Sequence, residues 1–370
     1  YFIGQGHEVH LASSYSEKPE LNLASLHVIP VAFSQFAGTI SGEEPKVRGR
    51  LIKKVLTTNM RTRFRQWFGP FTLLRAARTL QNVLKETQLD LIHALRIPFE
   101  GMLTALAKPQ APLVVSVWGN DFTLHARTTP LMTHYTRKAV RRADALITDC
   151  QRDMRLARQW GFPEERSSIV LPGGGGIQLD IFYPPEQPVS EPVVINPRGL
   201  RAYVRNDTFF KAIPLVLARR PETRFLCPAM QGEPQADKWV SDLGIRDLVE
   251  LLPRQNRQGM AEFFRQAMVV VSPSEHDGTP NSLLEGMACG CFPVAGDIES
   301  IRELITHGEN GLLTDPSNPH ALSQAILTAL DDTELRSQAH SHNIRLIKER
   351  AEYGAVMKKA EEFYYSIVNI

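Results

Sequence analysis

Residues 269–311 read VVVSPSEHDGTPNSLLEGMACGCFPVAGDIESIRELITHGENG, and this stretch decides the fold of the chain around it. It begins with three valines, a β-branched run typical of a strand buried on both faces of a parallel sheet. Thr279 and Pro280 then follow in the order of an N-cap and a first helical residue, and Gly290 is placed to end the helix. The stretch therefore predicts a strand, a polar loop and a short helix.

The predicted helix carries one acid away from its apolar face. At 100° per residue, four apolar side chains share that face: Leu283, Leu284, Met287 and Ala288. Glu285 lies roughly 130° from the centre of the face, and Asn281 lies one turn earlier on the same flank. The start of a helix offers unpaired amide groups to an anion. A sugar nucleotide suits such a site because it carries a diphosphate, ribose hydroxyls and sugar hydroxyls.

The frame DGTPNSLLEGMACG at 277–290, followed by Pro293 and Val294, resembles the donor motif of retaining GT-B glycosyltransferases of the family 4 type. In that family two glutamates are separated by seven residues. Asp277 and Glu285 have the same separation, although Asp277 is one carbon shorter than the family's first acid.

This resemblance implies a role for each residue of the motif. Glu285 would accept hydrogen bonds from the ribose hydroxyls, and Asp277 would contact the sugar hydroxyls in the catalytic centre. Four neighbours would complete the donor site: Gly278, Thr279, Asn281 and Ser282. The resemblance also implies two Rossmann-like domains facing a cleft, with the nucleotide sugar held mainly by the second domain.

A second segment resembles the phosphate-binding loop of the same family, in which Gly-Arg is followed by Lys-Gly. Residues 197–207 read PRGLRAYVRND after a predicted strand at 193–196. Arg198 matches the family's arginine, and Arg205 stands about where the lysine is expected, with Arg201 as its rival. By resemblance, Arg198 and Arg205 would neutralise the leaving diphosphate in the catalytic centre, with neither metal nor cofactor. The alternative is that these are ordinary arginines on an exposed loop.

Length and strand spacing predict an α/β protein built from doubly wound parallel sheets. A chain of 370 residues exceeds what one core usually serves, so two domains are expected. Strand-like segments recur at helix-length intervals, which indicates parallel sheets with helical crossovers. They lie at 89–94, 112–117, 145–148, 168–171, 193–196, 224–227, 249–252 and 269–271.

The predicted domain organisation follows from a proline-rich linker. We expect an acceptor-side domain over 1–183, the linker over 184–192, a nucleotide-sugar domain over 193–350, and a C-terminal helix over 351–370 that returns to the first domain. Residues 1–12 read as a helix end, a glycine turn and a strand. Since the family has a strand and a glycine-rich loop before that point, the resemblance implies that both are missing here.

Polar residues follow the predicted strands of the first domain, where ligands of open α/β sheets bind. His93 and Arg96 follow one strand, and Trp118 to Asp121 follow the next. Related transferases often have a histidine where Trp118 stands, so we expect Asn120 or Asp121 to serve the acceptor. His93 is equally well explained as an ordinary half-buried histidine.

Residues 46–85 contain eleven lysines and arginines and no acid, with Phe64, Trp67, Phe68 and Phe71 among them. One interpretation is a solvated face of core helices. The other is peripheral contact with an anionic membrane. A nucleic-acid partner is not expected, because no base-reading motif accompanies the charge.

Composition indicates a cytoplasmic protein, either free or peripheral on the cytoplasmic face of a membrane. Apolar residues make up 43% of the chain, and we expect neither a membrane-spanning helix nor a signal peptide. The four cysteines are too scattered for a disulfide framework. Cys289 and Cys291 fit a helix end and a buried strand better than a metal pair.

The resulting hypothesis is a retaining, metal-independent hexosyltransferase. It would move sugar from a nucleoside-diphosphate sugar to a hydroxyl of a sugar, a lipid-linked or a small-molecule acceptor in polysaccharide, glycolipid or other glycoconjugate synthesis. The alternatives are a GT-B nucleotide-sugar epimerase and a binding module that has lost catalysis. A glycosidase-like pair of carboxylates is not expected, because the two acids would not flank a single bond.

Overall fold

The computed structural model describes residues 1–16, 19–34, 58–172 and 174–368. The chain forms two compact α/β units with parallel sheets, which confirms the predicted fold class. Unit 1 comprises Tyr1–Thr148, Asp153–Val170 and Met357–Ile370. Unit 2 comprises Asp149–Arg152 and Leu171–Val356.

The described residues of unit 1 form two parallel sheets. A two-stranded sheet pairs β1 (His10–Ser13) with β2 (Ser25–Val28). The four strands of the other sheet are adjacent in chain order: β3 (Ile92–Ala94), β4 (Leu113–Val117), β5 (Ala145–Thr148) and β6 (Ser168–Val170). The accompanying helices are α1 (Thr58–Phe68), α2 (Leu73–Glu86), α3 (Met102–Ala107), α4 (Pro130–Arg142) and α5 (Gln151–Trp160).

The strand predicted over 89–94 is shorter than expected. Strand β3 begins only at Ile92, whose amide donates to the carbonyl oxygen of Pro112 at 2.9 Å. Because the neighbouring strand β4 begins at Leu113, the residues before Ile92 have no ladder to join.

The C-terminal residues from Met357 onward belong to unit 1. They form the end of helix α12 (Tyr353–Val368), which packs on both the first residues and strand β3. The hydroxyl of Tyr364 lies 2.6 Å from His93 Nδ1, and Glu361 accepts a hydrogen bond from the Tyr1 hydroxyl at 3.0 Å. Side chains from near the two ends of the described chain therefore contact one another within unit 1.

Unit 2 contains a six-stranded parallel sheet in the order β12-β11-β10-β7-β8-β9. Its strands are β7 (Val193–Ile195), β8 (Arg224–Cys227), β9 (Val249–Leu251), β10 (Val269–Ser272), β11 (Phe292–Gly296) and β12 (Leu312–Thr314). Its helices are α6 (Asn206–Leu217), α7 (Pro234–Asp242), α8 (Arg257–Gln266), α9 (Asn281–Ala288), α10 (Pro319–Asp331) and α11 (Thr333–Arg350). The order of strands reverses between β7 and β10.

Strand β10 confirms the prediction made from the valine run. All four of its residues are buried, and the strand lies between β7 and β11. Val269 is in register with Val194 on one side and with Phe292 on the other. A strand with neighbours on both edges and helices on both faces needs apolar side chains at every position, which explains the absence of alternation.

The prediction that Thr279 caps the start of helix α9 is wrong, whereas the predicted end of the helix at Gly290 is confirmed. Pro280 occupies the N-cap position, so Thr279 does not cap the helix. The Thr279 hydroxyl instead donates to the carbonyl oxygen of Asp149 at 2.7 Å. This tertiary hydrogen bond could not be predicted from the local sequence. At the other end Gly290 has φ of 90°, a left-handed conformation that favours glycine.

The four cysteines are buried thiols. Cys291 donates to the carbonyl oxygens of Phe264 and Ala267 at 3.1 and 3.3 Å, in keeping with a structural role. In the described ranges, no helix is both long enough and apolar enough to cross a membrane.

Candidate active site

The reversal of strand order in unit 2 brings two loops together at the carboxyl ends of β7 and β10. Such a switch point is where open α/β sheets bind their ligands. The two loops are joined by backbone hydrogen bonds: the amide of Glu275 donates to Tyr203, and that of Arg205 donates to Pro273, each at 2.9 Å. The Arg198 segment and the Asp277 segment predicted from sequence are therefore held side by side.

Arg198 and Asp277 form an ion pair at the centre of this site. Arg198 Nη2 lies 2.8 Å from Asp277 Oδ2, and the two side chains are only 9% and 13% exposed. Burial lowers the pKa of Arg198, but the charge of Asp277 and the contact with Tyr203 outweigh it, so the pKa lies above its ordinary value. The site thus keeps a permanent positive charge away from water.

The second predicted phosphate ligand, Arg205, is held by two carboxylates. Its guanidinium lies 2.9 Å from Asp207 and 2.7 Å from Glu275, and hydrogen bonds to these acids raise its pKa. The rival, Arg201, donates instead to the carbonyl oxygen of Arg198 at 3.0 Å and has an exposed side chain. Neighbouring acids therefore compensate the charge of Arg205 more than that of Arg201.

Glu285 on helix α9 is the second acid of the motif, and its pKa is shifted upward. Burial raises its pKa to about 7, and Arg257 and Arg198 offset only part of that rise. No residue in the described ranges forms an ion pair or a side-chain hydrogen bond with it. A part-buried carboxyl without a protein partner is suited to accept hydrogen bonds from ligand hydroxyls.

The other predicted donor-site residues surround Asp277 and the start of α9. The amide of Gly278 donates to Asp277 Oδ1 at 3.2 Å. Ser282 Oγ is buried and has no hydrogen-bond partner among the described residues, whereas Asn281 is exposed. No cluster of three or more His, Cys, Asp or Glu side chains in the described ranges is placed to hold a metal ion.

In unit 1, the predicted acceptor-side residue Asp121 ties together the loops that follow β3 and β4. It is fully buried and accepts from Arg96 Nη2 and from the amides of Ile97 and Trp118 at 3.0 to 3.1 Å. Burial raises its pKa, and Arg96 opposes the rise. Asp121 therefore fixes Arg96, which stacks over the Trp118 ring at 5.2 Å.

His93 and Asn120 differ in how their polar atoms are used. The two ring nitrogens of His93 contact Ser116 at 2.7 Å and Tyr364 at 2.6 Å, and burial lowers its pKa to about 4. Asn120 Oδ1 is buried without a partner in the described part of the chain, and so is Glu100 Oε2. Glu100 was not among the predicted site residues; only its place after a strand end could have pointed to it.

Two family models together match most of the chain. The model described as "Glycosyl transferases group 1" matches residues 180–345, and "Glycosyl transferase 4-like domain" matches residues 4–173. The chain belongs to the group 1 glycosyltransferases.

Relatives of the chain include the D-inositol 3-phosphate glycosyltransferase of Thermobispora bispora, 27% identical over 52% of this chain and 49% of that protein. Its counterpart in Acidothermus cellulolyticus is 28% identical over 55% of this chain and 50% of the relative. The chain thus aligns with about half the length of these curated relatives.

Solved structures show that the chain has the GT-B fold. The sucrose-phosphate synthase of Thermosynechococcus elongatus superposes with a TM-score of 0.73 at 15% identity, covering 99% of this chain and 90% of that one. HepE of Anabaena, in complex with UDP and glucose, superposes with a TM-score of 0.65 at 18% identity, covering 80% and 81%.

The sequence analysis missed three residues that support the Asp277 loop. Ser300 donates to the carbonyl oxygen of Asp277 at 2.6 Å, and Arg152 donates to Ser300 Oγ at 3.1 Å. Glu303 accepts from the amides of Gln151 and Arg152, each at 2.8 Å. Their partners are distant in sequence, so no local pattern marks them.

A substitution of Gly296 tests how tightly this loop is held. A Cβ at Gly296 would overlap the carbonyl oxygen of Ser274, which precedes the Asp277 loop. Gly296→Ala is therefore expected to destabilise the protein by about 2 kcal/mol and to weaken nucleotide-sugar affinity several-fold. Thermal unfolding and donor titration would measure both effects. Gly4→Ala serves as a comparison for glycine replacement with no steric overlap; equal behaviour of the two variants would contradict the expectation.

Proposed function

We propose that the protein transfers a sugar from a nucleoside-diphosphate sugar to a hydroxyl acceptor with retention of anomeric configuration and without a metal ion. The observation that supports this most is the buried Arg198–Asp277 pair at the switch point of unit 2, close to Glu285, which has no ion-pair partner among the described residues. These groups have the chemistry that a diphosphate, a hexose and a ribose require.

The leaving diphosphate is the charge that the site must stabilise. Arg198 is fixed, buried and permanently ionised, so it supplies electrostatic stabilisation with little reorganisation. Arg201 and Arg205 lie on the same loop and add positive charge nearby. Stabilisation by guanidinium groups is the basis on which we propose transfer without a metal ion.

Glu285 would bind the ribose hydroxyls, and Asp277 would orient the sugar. Asp277 is a poor candidate for a covalent nucleophile because Arg198 holds its carboxylate at 2.8 Å. We therefore favour attack by the acceptor hydroxyl on the same face that the diphosphate leaves, which retains the configuration. Hydroxyls of a sugar, a lipid-linked sugar or a phosphorylated polyol are the proposed acceptors; the curated relatives are named as D-inositol 3-phosphate glycosyltransferases.

The experiment begins with a thermal-shift screen of UDP-, GDP- and ADP-sugars, because a bound donor stabilises the folded state by mass action. The stabilising donor is then incubated with sugar, polyol phosphate and lipid-linked acceptors, and the product is analysed by NMR. We expect an α-linked product from an α-linked donor, at a rate unchanged by EDTA.

Other outcomes would distinguish the alternatives. A β-linked product would contradict retention, and a rate lost in EDTA and restored by a divalent cation would contradict metal independence. Release of an epimerised sugar without an acceptor would indicate an epimerase, and donor binding with no turnover would indicate a binding module.

A further inference from the structure

Unit 1 exposes a cluster of large apolar side chains on helix α1 and the segment that follows it. Five such side chains, each at least half exposed, lie within eleven consecutive positions: Phe64, Trp67, Phe68, Phe71 and Leu74. We call this set the aromatic face. So many large apolar side chains exposed within so short a segment are unusual, and exposed apolar surface of this kind marks an interaction site.

Helix α1 has its polarity inverted relative to an ordinary core helix. At 100° per residue, Phe64, Trp67 and Phe68 fall within about 100° of one another, and the rings of Phe64 and Phe68 lie 4.9 Å apart. Gln66, on the opposite side, is 5% exposed and its Nε2 lies 3.0 Å from His125 Nδ1. Gln66 therefore faces unit 1, whereas the three aromatic side chains remain at least half exposed, although the Phe64 ring also lies 5.6 Å from that of Phe33.

Positive charge accompanies the aromatic face. Arg63, Arg75 and Arg78 are exposed, and none of them has a carboxylate within 4.0 Å in the part of the chain that the structure describes. The sequence contains no acid between Glu44 and Glu86. A second copy of this chain is a poor occupant, because a symmetric contact would bring these arginines together.

We propose that the aromatic face binds the interfacial region of an anionic lipid bilayer. Tryptophan and phenylalanine partition to the boundary between headgroups and acyl chains, and arginines around them are attracted to anionic headgroups. This pairing of side chains matches a lipid surface better than it matches water or a neutral protein. The inference does not depend on the donor chemistry of unit 2, so either can fail alone.

The test is co-sedimentation of the full chain with vesicles. We expect binding to phosphatidylcholine vesicles that contain about 30 mol% phosphatidylglycerol, little binding to pure phosphatidylcholine, and weaker binding in about 0.5 M salt. The double variant Trp67→Ser/Phe71→Ser is expected to reduce the partition coefficient at least about tenfold. Leu21→Ser is the matched control, since Leu21 is 60% exposed in the same unit but outside the aromatic face.

The charge is tested separately. Arg75→Gln and Arg78→Gln are each expected to reduce the partition coefficient about five-fold, whereas Lys138→Gln, an exposed cation on α4, should leave it unchanged. Circular dichroism checks that every variant is folded.

Four results would overturn the proposal. These are equal binding to both kinds of vesicle, no binding to either, full competition by single-stranded RNA, and self-association that the double variant abolishes without any effect on vesicles.

Discussion

Arg198→Ala is expected to reduce kcat/KM for sugar transfer by about 10³-fold, because it removes a fixed charge from the leaving diphosphate. Arg198 is only 9% exposed, so water cannot readily replace its guanidinium. The measurement is initial-rate kinetics with saturating acceptor and varied donor. The loss should appear mainly in kcat, since charge develops on the diphosphate as the bond to the sugar breaks.

The same variant leaves the Asp277 carboxylate buried without its ion-pair partner, which is expected to cost about 3 kcal/mol of folding stability. A double variant, Arg198→Ala/Asp277→Asn, removes that uncompensated charge and should recover part of the stability but none of the activity. Arg219→Ala, on an exposed arginine elsewhere in unit 2, controls for loss of a positive charge. Near-normal kcat in a folded Arg198→Ala protein would refute the proposed role.

Glu285→Gln is expected to weaken donor binding about 30-fold above pH 7 while making the folded protein more stable. The carboxylate would accept hydrogen bonds from ribose hydroxyls, and charged acceptors form stronger hydrogen bonds than amides. As the pH falls below about 7, protonation of Glu285 removes that advantage. Donor affinity of the wild type should therefore decline towards that of the variant, whose own affinity should not respond to Glu285.

The folding stability of the wild-type protein should change with pH in the opposite direction to its donor affinity. Because the folded-state pKa of Glu285 is raised, its ionisation disfavours folding, and stability falls as the pH rises from about 4.5 through about 7. Glu285→Gln lacks this penalty, so it should match the wild type near pH 4 and exceed it by about 2 kcal/mol at pH 8. Urea unfolding at several pH values measures the difference.

Glu262→Gln provides the control for the second prediction, because Glu262 is an exposed glutamate on α8. It should change neither donor affinity nor the pH dependence of stability. If Glu285→Gln lost stability at pH 8, or bound donor as tightly as the wild type, Glu285 could not be an unpartnered carboxyl reserved for the ligand.

The elements of unit 2 were predictable where local pattern decides them. The valines of β10 indicated a strand buried on both faces, and Gly290 indicated the helix end. Charge partners that come from distant segments were not predictable. Arg205 was proposed as a phosphate ligand from its place in the motif, yet its contact with Glu275 could be seen only in three dimensions.

The side-chain contacts of unit 1 were also hard to predict from the sequence, because they too join distant segments. Asp121 was expected to serve an acceptor, and its burial under Arg96 and two backbone amides became visible only when the loops were placed together. The inverted polarity of α1 is a second example. The sequence showed aromatic and basic residues side by side, but a helix exposes or buries its aromatic side chains according to what packs against it.

The adjacency of β7 and β10 also constrains how the protein acquires its activity during folding. Val194 and Val269 pair in the sheet although they are 75 positions apart in sequence. Closing so long a crossover is slow compared with forming the local helices. Formation of the β7–β10 pair would therefore lag behind formation of the local helices, and recovery of ligand affinity would lag behind recovery of helix content during refolding.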